Sequence, residues 1–288
     1  MGGGSWTRDA FTSYSMSMGR DVDLSTGKLS DSYSAQDIYK AHKLDSVLDP
    51  RGVMRECCDS QEHPNTIPVI LALDVTGSMG DAAAQCAKCL SVIMSDIYDS
   101  VQDVEFMIMG IGDLEWDSAP IQISQFESDI RIADQLDKIW FEAGGGGNQY
   151  ESYTAAWYMG LNHTSLDCWK RGKKGIIITL GDEPLNPYLP KFKLMACTGD
   201  NLQADVETTE LYKDVIKKFD VYHLAVKDDE TCYNRYAGRI SKSFGDLLGD
   251  HLKVVTINEL PAVIVDIVKG QTAMNGDTIP VLSNEISW

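Results

Sequence analysis

Thr66-Ile67-Pro68-Val69-Ile70-Leu71-Ala72-Leu73-Asp74-Val75-Thr76-Gly77-Ser78-Met79-Gly80 decides how the rest of the chain is read. Val69 to Leu73 is an unbroken apolar run, bounded by Pro68 on one side and by glycines on the other. A short run with these bounds fits a strand buried on both faces, as in a parallel sheet. The polar tip then falls where the strand leaves the sheet, which is where open α/β sheets bind ligands. Asp74, Thr76 and Ser78 supply three oxygen ligands within one turn. Oxygen donors in that pattern suit a hard divalent cation. Gly77 lets the backbone close tightly around such an ion.

Asp74-x-Thr76-Gly77-Ser78-Met79-Gly80 resembles the first motif of von Willebrand factor A-like domains. In that family, Asp-x-Ser/Thr-x-Ser opens a metal-ion-dependent adhesion site. Two later loops complete the shell, usually with a Thr and then an Asp, and a partner's acidic side chain takes the open position. The rest of the chain carries counterparts in the same order. Four glycines, Gly144 to Gly147, precede Asn148-Gln149-Tyr150-Glu151-Ser152 and a helix marked by Tyr153, Ala156, Trp157, Gly160 and Leu161. The family places its second motif at this point. No Thr follows the glycines directly, so Asn148 and Glu151 stand as alternatives for the fourth ligand. A phosphate-cradling loop fits less well, because no Gly-Lys-Ser/Thr ending follows and the flank is acidic. The apolar run Gly175 to Leu180 then ends in Gly181-Asp182-Glu183-Pro184, and Asp182 matches the third motif.

The resemblance covers residues 67–270 and implies an α/β, doubly wound fold with a mostly parallel central sheet flanked by helices. The periodicity gives the same alternation independently. Strands are expected at 104–111, at 121–124 on an edge, at 175–180, at 221–226 and at 254–257. Helices are expected at 81–98, 129–141, from 153, at 201–218, 231–248 and 258–269. Pro184, Pro187 and Pro190 suggest a stiff loop from 183 to about 201 that borders the site. Residues 1–66 read as an arm, irregular to about residue 33, with a short helix opened by Ser34-Ala35-Gln36-Asp37. Its aromatics, among them Trp6, Phe11 and Tyr39, suggest that it packs on the main domain. Residues 271–288 read as a tail.

Composition narrows the functional classes. Against 43 acidic residues stand 25 Lys and Arg, a net charge of −18 over 288 residues. That balance argues against a nucleic-acid surface and favours cation binding. No apolar stretch reaches the length of a membrane span. Seven scattered cysteines and the absence of an apolar leader in the first residues suggest a reduced, cytoplasmic setting. Cys86 and Cys89 fall in a helical apolar stripe with Leu90, Ile93, Met94 and Ile97, so core packing is the better reading than zinc. Lys170-Arg171-Gly172-Lys173-Lys174 lies at the start of a strand, away from the acidic tips, and reads as a solvated loop. His223 and His251 read as structural.

A shell of hydroxyls and two carboxylates indicates Mg²⁺, with Mn²⁺ or Ca²⁺ possible, and not Zn²⁺. The resemblance implies a protein–protein interaction module: the ion bridges to an Asp or Glu of a partner. Intracellular members of the family serve as adaptors beside AAA+ ATPases, and that partner class is the expectation here. Two other classes compete. A phosphatase-like metal-dependent hydrolase would use Asp74, but Thr76 stands where a second Asp is needed. A structural subunit would carry a vestigial site. A binding role without catalysis is therefore expected.

Overall fold

The fully apolar runs become the central strands. The structure, a computed structural model, describes residues 4–144 and 147–274. Its first half contains α1 (Arg8–Ser17), α2 (Ala35–Ile38), β1 (Arg55–Cys57), β2 (Ile67–Asp74), α3 (Gly80–Lys88), α4 (Leu90–Tyr98), β3 (Val104–Ile111), β4 (Ile121–Ile123) and α5 (Arg131–Leu136). The second half contains α6 (Thr154–Asn162), β5 (Thr164–Leu166), β6 (Gly175–Gly181), β7 (Tyr188–Leu189), α7 (Lys191–Thr198), β8 (Val206–Glu207), α8 (Thr208–Val215), β9 (Phe219–Val226), α9 (Tyr233–Leu248), β10 (Leu252–Val255) and α10 (Leu260–Met274).

Among the described residues the main sheet runs in the order β10-β9-β6-β2-β3-β4. All pairs are parallel except β3 with β4. Every residue of β2, β3 and β6 is buried, because helices cover both faces. On one face Val69, Leu71 and Leu73 pack with residues of α3, α4, α5 and α10. On the other, Ile70 and Ala72 pack with Trp157 of α6, Leu211 of α8 and Phe244 of α9. The chain leaves β2 for β3 on one side and later returns through β6 on the other. The strand order thus reverses between β2 and β6, and a crevice opens past their carboxyl ends. Asp74 closes β2 and Asp182 directly follows β6, so the topology brings these two acids to one place.

Much of the arm lies along the first of these faces, while Val53 and Cys57 belong to the core of the second. Trp6, Phe11, Ile38 and Tyr39 are buried in the same core as β2 and α4. The Tyr39 hydroxyl donates to the Ala83 carbonyl at 3.0 Å, and Arg20 pairs with Asp137 at 2.8 Å. β1 forms a small parallel sheet with β5, a pairing not expected from the sequence.

Several boundaries differ from the expectation, each for an identifiable reason. The arm is not irregular throughout: Thr7 caps α1, its hydroxyl accepting from the Ala10 N–H. The helix expected at 81–98 is two helices, because the Leu29 N–H of the arm takes the Lys88 carbonyl at 3.0 Å and interrupts the ladder. Cys86, Cys89, Ile93, Met94 and Ile97 are buried as a stripe across both. Ser128, just ahead of the helix expected at 129–141, donates to the Gly4 carbonyl at 2.7 Å. α5 stops at Leu136, since the Gln122 amide holds both the N–H and the carbonyl of Trp140, each at 2.8 Å.

The stiff loop expected from 183 to 201 contains β7 and α7 instead. Pro190 occupies the N-cap, and Gly199 ends the helix in the left-handed region at φ 81. Asp200, just ahead of the helix expected at 201–218, accepts from the Tyr158 hydroxyl at 2.5 Å and faces His163 Nε2 at 2.7 Å. α8 accordingly begins only at Thr208. Thr256 and Glu259 form a capping box ahead of α10. That helix runs to Met274 with Gln271 and Thr272 buried, so residues 271–274 are not tail. Residues 275–288 of the expected tail, and Gly145 and Gly146 of the glycine run, lie outside the described residues. No helix among the described residues is long and apolar enough to cross a membrane.

Candidate metal centre

Asp74 points to the α6 face of the sheet, being in phase with Ile70 and Ala72. It is 1% exposed. The Thr76 N–H and hydroxyl donate to its Oδ1 at 2.9 and 2.5 Å. A hydroxyl that donates in this way keeps its lone pairs free for a cation. Ser78 is half-buried, in a single 3₁₀ turn over Gly77–Met79 that runs into α3.

Tyr153, just ahead of α6, joins the first and third motifs. Its hydroxyl donates to Asp74 Oδ2 at 2.7 Å and accepts from the N–H groups of Asp182 and Glu183, both at 3.2 Å. The ring lies against the Cα of Gly181, where an added Cβ would overlap it. No residue but glycine leaves that space, which accounts for the Gly-Asp sequence at the end of β6. His223 supports the ring from behind, 5.1 Å between centroids, and is itself stacked on Phe244 and bonded to Thr179. This is the structural role expected of it.

Asp182 is fully buried. The Cys232 N–H donates to its Oδ2 at 2.6 Å, while Oδ1 has no hydrogen-bond partner among the described residues. Glu151 and Asn148, the two alternatives in the glycine loop, separate clearly. Glu151 is 3% exposed with Oε2 unpartnered, whereas Asn148 is exposed on the rim beside Asp113. The loop is fastened to the tip of β3: the Ser152 N–H donates to the Gly112 carbonyl at 3.3 Å, and the Leu114 N–H donates to Ser152 Oγ at 3.0 Å. Ala143 and Gln149 flank the glycines with φ of 53° and 64°, a region that side chains other than glycine seldom occupy.

A further acid joins these. Asp113, two residues past β3, is 1% exposed with Oδ2 unpartnered. None of the three resembled motifs includes it. The rule that singled out Asp74 and Asp182, an acid at the carboxyl end of a buried central strand, singles it out as well.

The electrostatics follow from burial. Burial, then the charge of Asp182, raises the Asp74 carboxyl well above its usual range, against the Thr76 and Tyr153 hydrogen bonds. Burial also raises Asp182, with the Cys232 N–H and the Ser78 hydroxyl acting in the opposite direction. Glu151 is pushed furthest, by burial and then by Asp74, Asp113, Glu183 and Asp117. Glu183 rises to about 7 by burial and by Asp182 and Asp113, with Arg239 and Arg235 partly offsetting. Asp113 is raised mainly by burial. Uncompensated buried carboxylates are costly, and they are relieved by protons or by a cation.

Oxygen donors and three orphaned carboxylate atoms fit a hard divalent ion. Among the described residues, no three His, Cys, Asp or Glu side chains converge closely enough to hold an ion by themselves. A shell here would therefore draw on the Thr76 and Ser78 hydroxyls and on water, together with Asp74, Asp182 and Glu151. The seven cysteines are all free.

No protein-family profile matches the sequence, and no curated protein matches it. Solved structures of similar outline include the pilus adhesin SpaC of Lactobacillus rhamnosus GG, at TM-score 0.49 and 12% identity over 78% of this chain and 31% of the adhesin. Proximal thread matrix protein 1 of the mussel byssus gives TM-score 0.47 and 11% identity over 75% of this chain and 49% of that one. The vWF domain of the type V pili tip protein Mfa5 of Porphyromonas gingivalis gives TM-score 0.45 and 10% identity, over 73% of this chain and 96% of that domain. The chain thus spans about a third of the adhesin's length and half of the mussel protein's.

Proposed function

We propose that the chain is a divalent-cation-dependent protein-binding module. Asp74, Thr76, Ser78, Asp182 and Glu151 would hold the ion, with Asn148 on the rim. When bound, the ion supplies a Lewis-acidic position for one carboxylate oxygen of a partner. The chain's own residues do the rest. The Tyr153 hydroxyl and the Thr76 N–H fix the Asp74 carboxylate, the Cys232 N–H fixes Asp182, and the surrounding loops select the partner.

The observation that carries the reading is the burial of Asp74 and Asp182 at the β2/β6 crevice beside the Thr76 and Ser78 hydroxyls, with Asp182 Oδ1 and Glu151 Oε2 unpartnered among the described residues. Mg²⁺ is the ion of choice for oxygen ligands completed by water, with Mn²⁺ or Ca²⁺ as competitors. The role proposed is binding, not hydrolysis. A cytoplasmic setting and an AAA+ ATPase as partner are part of the proposal, supported by the unpaired cysteines for the former and by the family resemblance for the latter.

Calorimetric titration of Mg²⁺, Mn²⁺ and Ca²⁺ into metal-free protein tests it. One saturable site in the parent, absent in Asp74→Ala, is the expected result. Partner capture that chelator abolishes, and that Ser78→Ala abolishes too, would extend it to function. Ion binding that survives Asp74→Ala and Asp182→Ala together would refute it.

A further inference from the structure

Beside the acidic crevice, between the loop after β3 and the proline loop after β6, lies a cleft of about 500 Å³. Three aromatic rings line it, from Trp116, Tyr150 and Tyr188, together with the carboxylates of Asp113 and Glu115. Trp116 is 64% exposed and Tyr188 42% exposed. Isolated exposed apolar side chains are ordinary, but here they surround one concavity whose inner wall holds a buried, half-unpartnered carboxylate. No Lys, Arg or His is among its lining residues. Two cations of the chain stand at its rim: Lys193 Nζ donates to the Glu115 carbonyl at 2.9 Å and lies 3.8 Å from Glu115 Oε2, and the Arg239 guanidinium lies 4.9 Å from the centroid of the Tyr150 ring, which leaves Trp116, Tyr188 and the Asp113 carboxylate for a cation from outside.

We propose that this cleft receives the lysine or arginine side chain of a protein partner. Aromatic faces attract an organic cation through their quadrupole, and Asp113 and Glu115 supply the opposite charge. A carboxylate entering the cleft would meet both acids at short range. A bare metal ion would find ring faces and Pro187 where it needs oxygens. A flexible side chain with an apolar stem and a charged head matches both the walls and the floor. The inference goes beyond metal-dependent binding and does not require it, because the cleft's own residues carry the argument.

The probes are N-acetyl-arginine amide and N-acetyl-lysine amide, with N-acetyl-citrulline amide as the uncharged counterpart of arginine. Each is titrated into the ¹⁵N-labelled full chain, and the Trp116 indole N–H, assigned with Trp116→Phe, is followed by NMR. The expected result is a saturable shift with both cationic amides, in chelator and in Mg²⁺ alike, and at least about fivefold weaker binding of the citrulline amide. Glu115→Gln, an exposed change that leaves folding intact, should weaken the cationic amides and leave the citrulline amide unaffected.

Equal binding of the citrulline amide would overturn the proposal, as would shifts that map away from Trp116 and Tyr188. A response seen in chelator but lost in Mg²⁺ would also overturn it, since the amide would then only be replacing the ion among the buried acids. Failure of the metal reading alone would instead leave the chelator arm positive.

Discussion

Metal-free protein should lose stability as pH rises from about 6.5 to about 8, and a divalent cation should remove most of that loss. The buried carboxyls Asp74, Glu151 and Asp182 all have folded-state pKa values raised by burial, Asp74 also by the charge of Asp182 and Glu151 also by that of Asp74. In the unfolded chain they ionise near pH 4. Between those limits the folded state holds protons that the unfolded state has released, so stability falls with rising pH. Each proton so held contributes a slope of about 1.4 kcal/mol per pH unit, or about 2 kcal/mol across this window. For a chain of this size that is a drop of about 3 °C in melting temperature per proton.

The window starts at about 6.5 because His223 works the other way below it. That ring is buried and its pKa is lowered to about 3, so its contribution grows as pH rises to the unfolded value near 6.5 and is flat above. The assay is urea or thermal unfolding in chelator across the window, repeated with saturating Mg²⁺ and with Glu151→Gln. Glu151→Gln should flatten the chelator curve and stabilise the protein at the alkaline end. Stability in chelator that is flat or rising with pH, or a parent slope unchanged in Glu151→Gln, would refute the reasoning.

Three further outcomes follow from the packing. Tyr153→Phe leaves Asp74 Oδ2 and two N–H groups without the hydroxyl that joins them; it should cost about 2–3 kcal/mol in urea unfolding and weaken cation binding by calorimetry. Gly181→Ala forces the Tyr153 ring off its seat, and should cost about 1–3 kcal/mol while weakening the ion at least as much as Tyr153→Phe does. Phe11→Ala, which empties a 2% exposed position in the core under β2, should cost about 3–5 kcal/mol and leave ion affinity unchanged.

The parts of the fold legible in the sequence are those where one force dominates. β2, β3, β6 and β9 are buried on both sides, and an apolar run is the direct imprint of that burial. What escaped reading was set by contacts between distant segments. The break at Cys89 exists because a backbone N–H of the arm competes for the Lys88 carbonyl, and nothing near Cys89 announces it. α5 ends early because Gln122, from a strand nine residues before the helix, captures Trp140. α1 buries only Phe11 and Ser15, too little to leave a helical stripe. The helix expected from 201 starts only at Thr208, and Tyr158 and His163 claim the Asp200 carboxylate ahead of it.

In the candidate site, the strand-end acids were legible because parallel topology delivers them to one edge. The difference in burial between Asn148 and Glu151 was not. It depends on the Ser152 bonds that fasten the loop to the β3 tip, and these turn Glu151 inward and leave Asn148 outside.

Charge balance links the two proposals. Asp74, Asp113, Glu151 and Asp182 are all 3% exposed or less. One divalent ion offsets two of these four charges, so the occupied crevice remains negative by two unless protons stay on Glu151 or its neighbours. A partner carboxylate on the ion makes the balance worse by one. A lysine or arginine of the same partner, seated against Asp113 in the aromatic cleft, corrects it where the excess lies. Binding of an acid at the ion and a base at the cleft should then be mutually favourable, through Coulomb attraction in a site partly shielded from water. A short peptide bearing both should bind more tightly in Mg²⁺ than the product of its single-charge variants implies, as measured by a double-mutant cycle on the peptide. Strict additivity in that cycle would separate the cleft from the ion and leave them as unrelated features of one surface.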